Sequence, residues 1–197
     1  MAQRRRKAKY EFKPDPKGTN YLKRLYMTRL QRLTILKWAT FAMTGIFLLV
    51  VQDVIMSEVR FSGATTDLPV AFILLVGLYE GLENGSVFTL AASLFYWFSG
   101  SAPTPICVAM LCILVILVGL FRQLYWHRSF ASLTLCVSVA IMLYEMILFV
   151  IGLISGLTIL PRISVFALTG AMTCITMLPM YPLVRLISKI GGESWKD

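Results

Sequence analysis

The chain has 197 residues, of which 57% are hydrophobic and 15% charged, an apolar excess well beyond that of soluble domains. That length holds one membrane domain and a short tail, and no separate folded extramembrane domain is expected. A net charge of +9 would suggest nucleic acid in a soluble protein, but twelve of the nineteen Lys and Arg lie before residue 38, so the charge is a flank on a nearly neutral chain and no nucleic-acid partner is expected.

Residues 1–20 combine charge, two prolines and little apolar content, and read as a flexible basic tail. They show no apolar run with a small-residue cleavage site, so no signal peptide is expected. From Tyr21, apolar residues recur at helical spacing, which predicts a basic amphipathic interfacial helix over 21–34. Lys23, Arg24, Arg29 and Arg32 are its candidate contacts to anionic lipid, each worth about 1 kcal/mol near a charged surface. The same residues also fit a plain topology-setting flank.

Ile35–Val51 is the first predicted span, with Lys37 expected to snorkel to the interface. A polar loop follows over 52–66. Leu68–Phe98 is divided by Glu80, Glu83 and Asn84 and fits either two short helices or a re-entrant hairpin. Two helices are preferred, because their turn would place both glutamates in water. Further spans are predicted over Ile106–Phe121, Phe130–Leu157 and Ile163–Ile187, with Pro179 and Pro182 expected to kink or end the last helix. The expected architecture is therefore an all-α integral membrane protein with a six-helix domain over 35–190 and a short tail over 191–197. Under this topology seventeen basic residues fall on one side and two, Arg60 and Arg162, on the other, which predicts cytoplasmic termini.

The chemistry-bearing residues are sparse. His127 is the lone histidine, so neither a Ser-His-Asp arrangement nor a multi-histidine metal site can be assembled, and no glycine loop suited to phosphate precedes a helix. Neither enzymatic activity nor a cofactor is expected. Gly77, Gly81 and Gly85, and again Gly152 and Gly156, have the four-residue spacing that permits close helix approach in lipid. Glu145 stands in the middle of an apolar segment, where an ionised side chain costs roughly 2.5–3.5 kcal/mol, so it must face protein or a cavity. It is a candidate substrate, proton or partner site, or else a glutamate hydrogen-bonded within the bundle.

Gln52 at the end of the first span, Thr66-Asp67-Leu68 before the second, Gly81-Leu82-Glu83-Asn84-Gly85, Leu94-Phe95-Tyr96, Leu143-Tyr144-Glu145 and Met180-Tyr181-Pro182-Leu183 occur in an order that resembles the MreD family of rod shape-determining membrane proteins. The resemblance covers about residues 35–190. Thr66 stands where the family has proline and Trp97 where it has aspartate, and Thr169 and Thr173 resemble remnants of its last-helix motif. The resemblance implies a non-catalytic component of the bacterial cell-elongation machinery. Such a component binds MreC directly, and through the complex MreB, RodA and a penicillin-binding protein. The family's helical domain is in turn similar to the substrate-binding subunits of energy-coupling-factor transporters. The alternative function is therefore a small-molecule (vitamin) binding subunit.

Overall fold

A computed structural model describes residues 29–56, 58, 63–125 and 130–191. Among these residues the chain is all-helical, with α1 Arg29–Val51, α2 Leu68–Tyr79, α3 Leu82–Phe98, α4 Ile106–Tyr125, α5 Phe130–Ile154 and α6 Ile163–Ser188. Three helical stretches are long and apolar enough to cross a membrane: Gln31–Met56, Phe130–Ile154 and Leu160–Ser188. Leu68–Tyr79 and Ile106–Phe121 are apolar but shorter. Only 6% of the apolar window of α1 is buried inside the protein. Its exposed side chains, such as Met43, Phe47 and Val50, are hydrophobic, as a lipid-facing surface requires.

Residues 21–28 of the expected interfacial helix lie outside the described residues. Residues 29–34 run without a break into α1, because nothing in Arg29–Leu36 interrupts the backbone hydrogen-bond ladder.

The organising element is the shortest helix. α2 spans twelve residues, about 18 Å at 1.5 Å per residue. Leu68 to Leu78 are all buried, and the helix packs against each of the other five helices. An apolar surface all round is what a central helix needs, since it has no solvent- or lipid-facing side. Asp67 caps its start by accepting from the Val70 N–H at 3.3 Å, and Pro69 sits in the first turn, where a missing N–H costs nothing. The helix ends at Glu80, and Gly81 turns the chain into α3 with φ at +91°, a conformation open mainly to glycine.

α2 and α3 then run back to back at backbone contact. A methyl group on Gly85 would overlap the Gly77 carbonyl, and one on Gly77 would meet Thr89 and stand 3.0 Å from Val115 on α4. Gly77 and Gly85 thus permit close packing, whereas Gly81 serves the turn. In α5, Gly152 faces the Thr158 methyl, while Gly156 (φ +68°) ends the helix and packs against nothing.

Pro179 and Pro182, expected to kink or end α6, do not end it, since the helix continues to Ser188. Met177, Met180, Val184 and Ile187 are buried on one face across the proline region, and that packing outweighs the backbone hydrogen bonds the prolines forfeit. Lys37 does not snorkel outward, and Glu80 does not reach water; the two meet inside the bundle.

Candidate functional site

Lys37 points from α1 toward the C-terminal end of α2, where its ammonium pairs with Glu80 Oε2. Both side chains are nearly inaccessible, at 7% and 1% exposure. A glutamate at this helix end faces the negative pole of the peptide dipoles, so the lysine offsets two sources of negative potential at once. The ammonium also lies 5.5 Å from the Trp38 ring centre. The second carboxylate oxygen, Oε1, is buried without a hydrogen-bond partner.

A second polar layer surrounds the opposite end of α2. α1 ends in a π-helical turn, Gln52–Met56, and the Gln52 amide bridges the next segment. Its Nε2 donates to the Thr66 carbonyl at 2.6 Å, and its Oε1 accepts from the Leu68 N–H at 3.1 Å. The Tyr96 hydroxyl on α3 donates to Asp67 Oδ2 at 2.7 Å. The Asp67 N–H donates to Thr173 Oγ1 on α6 at 3.0 Å, and that hydroxyl in turn donates to the Thr169 carbonyl at 2.8 Å. Burial pushes the Asp67 carboxyl up from 3.8 to about 6, against the lowering effect of the hydrogen bonds from Tyr96 and Val70.

Glu145 belongs to the border of this layer. It is 4% exposed, opposite Gly170 on α6, where an added methyl would stand 3.4 Å from its Cγ. It lies within electrostatic reach of Asp67. The neighbouring Tyr144 hydroxyl, beside the Cys107 thiol and also fully buried, has no hydrogen-bond partner of ordinary geometry. This buried hydroxyl beside Glu145 therefore lacks the partner that such a group requires.

Comparison with protein-family models, with curated proteins and with solved structures gives no match to this chain. The geometry must therefore carry the functional reading.

The remaining candidates are scattered. Lys23 and Arg24 lie outside the described residues, Arg29 opens α1, and Arg32 is exposed on the same helix. No group of three His, Cys, Asp or Glu side chains converges among the described residues in a way that could hold a metal. The Lys37–Glu80 pair was not predicted, although a lone cation and a lone anion inside apolar segments are a signal for it: each needs a partner, and the nearest option is the other. The Asp67–Tyr96–Thr173 contacts carry no such local sign, since the three residues come from distant parts of the chain.

Proposed function

We propose that this chain is a non-catalytic, multi-pass membrane scaffold of the bacterial cell-elongation machinery, of the MreD type, which binds MreC and helps to regulate lateral peptidoglycan synthesis. The observation that carries the reading is the convergence of its resemblance-bearing residues. Gln52, Thr66, Asp67, Leu68, Tyr96, Thr169 and Thr173 are spread over more than a hundred residues, yet they form two hydrogen-bonded sets, Gln52 with Thr66 and Leu68, and Asp67 with Tyr96, Thr173 and Thr169, that meet at the segment 66–68. That several of the residues carrying the resemblance meet at the start of α2 supports this reading. On this reading all six helices cross the bacterial cell membrane, the short α2 held within the bundle, and both termini are cytoplasmic by the charge asymmetry. The wider complex contributes MreB, RodA and a penicillin-binding protein.

The test is twofold. Depletion of the protein should round rod-shaped cells, and affinity purification in mild detergent should bring down a coiled-coil MreC-type partner. Purification without that partner, from cells that keep their shape on depletion, refutes the proposal.

A second reading, a vitamin-binding subunit of an energy-coupling-factor transporter, has one observation in its favour. The Tyr144 hydroxyl, buried without a hydrogen-bond partner of ordinary geometry beside the buried Glu145 carboxyl, is what a polar ligand would complete. It requires a stoichiometric small polar molecule in the purified protein, which native mass spectrometry would detect.

A further inference from the structure

α1 and α3 diverge along one side of α2 and leave a groove of about 460 Å3, within the range of about 300–1,000 Å3 in which proteins hold small ligands. Along α1 it extends from Trp38 to Leu49, eleven residues or about 16 Å. Phe41, Phe72 and Phe88 stack with Trp38 as its wall, with ring centres 5.8–6.4 Å apart. Gly45 keeps the groove open over the Phe72 ring, where a methyl group would stand 3.4 Å from it. The groove opens sideways between helices: Ile46, Val87 and Phe95 line it and are exposed. With α1 in a membrane, that opening faces hydrocarbon.

The two ends of the groove differ. At the end near Trp38, the polar Asn84 lines it. At the same end of the bundle are the exposed Arg32, six residues before Trp38 on α1, the exposed Lys189, whose 3-10 turn packs against α1, and the exposed Arg185, within electrostatic reach of Tyr79 at the end of α2. Among the described residues at this end, the exposed acid Glu83 offsets one of these three cations. Its length along α1 suits a single extended hydrocarbon chain, and the excess of cations at that end of the bundle is complementary to an anion.

We infer that this groove binds one acyl chain of an anionic phospholipid, whose head group rests at the Arg32, Arg185 and Lys189 end beside Asn84. The inference uses the placement of α1 in lipid and is independent of any contact with MreC. A partner's helix would bury the same aromatic wall, but it would show no preference for head-group charge.

Native mass spectrometry of the full chain in mild detergent tests this, with phosphatidylglycerol and phosphatidylcholine of identical acyl chains as probes. One phosphatidylglycerol should be retained per protein, preferred over phosphatidylcholine by about fivefold or more, as one basic side chain near the head group suffices to give. Ala42→Phe and Ala91→Phe place a ring into the groove from exposed positions on its two sides, so the buried core is untouched, and each should reduce retention by about fivefold. Ala109→Phe, at an exposed position on α4, should behave as wild type. Retention in both groove variants equal to wild type, absence of any bound lipid, or equal binding of the two phospholipids overturns the inference.

Discussion

Replacing Lys37 by methionine keeps the side-chain length and removes the ammonium. The Glu80 side chain, 1% exposed, is then left as an uncompensated buried charge, with one oxygen already unpartnered. Breaking a buried pair in this way costs about 3–5 kcal/mol. The position at the C-terminal end of α2 adds about 0.3–1 kcal/mol, because the peptide dipoles there repel an anion. At about 2–4 °C per kcal/mol for a chain of this size, the thermal midpoint should fall by roughly 7–24 °C. The Trp38 ring, 5.5 Å from the ammonium, supplies an intrinsic fluorescence probe for unfolding in detergent. Lys37→Met combined with Glu80→Gln should recover most of the loss, since replacing both partners of a buried pair by neutral groups is close to neutral in stability. A single variant within about 2 °C of wild type, or a double variant no more stable than the single, would refute the buried-pair reasoning.

Other perturbations separate the remaining features. Gly85→Ala forces a methyl group into the Gly77 carbonyl, against backbone that cannot yield cheaply, and should destabilise by about 3 kcal/mol in the same thermal assay, whereas Gly152→Ala meets only the Thr158 side chain and should cost far less. Tyr96→Phe removes the 2.7 Å hydrogen bond to Asp67 and should cost about 1.5–3 kcal/mol; no loss would mean that water replaces the hydroxyl. Glu145→Leu removes a carboxyl that is 4% exposed inside the bundle, where desolvation opposes the fold, so it should leave the thermal midpoint unchanged or higher. If Glu145 is a partner or ligand site, the same variant loses that binding while staying folded. For Asp67, the pKa is raised from 3.8 to about 6 by burial, so the folded chain holds this proton more tightly than the unfolded chain. Its contribution favours the fold most fully below pH 3.8, declines as pH rises through 4–6, and above that amounts to a deficit of about 3 kcal/mol. Asp67→Asn should flatten the stability profile over that interval, which thermal melts at pH 4, 5, 6 and 7 would show.

The sequence by itself determined that the protein is helical and apolar. Long runs such as Phe130–Ile154 and Ile163–Ser188 are governed by composition, which needs no knowledge of neighbours, and the division of Leu68–Phe98 into two helices follows from Gly81 and the acids around it. Gln52, Asp67 and Glu145 also stand out in the linear chain, because polar groups in or beside apolar helices are costly and need a reason. Only the tertiary structure decided which groups meet. It turned Lys37 inward to Glu80, although a lysine near a helix start can equally well reach the interface. It assigned Gly77 and Gly85 to helix contact and Gly81 and Gly156 to turns, a distinction set by φ and by a neighbouring carbonyl and invisible in spacing. It carried α6 through two prolines because the buried face beyond them outweighs local propensity. It also opened the groove beside α2, since a gap between two helices depends on how far their axes diverge, and no residue encodes that alone.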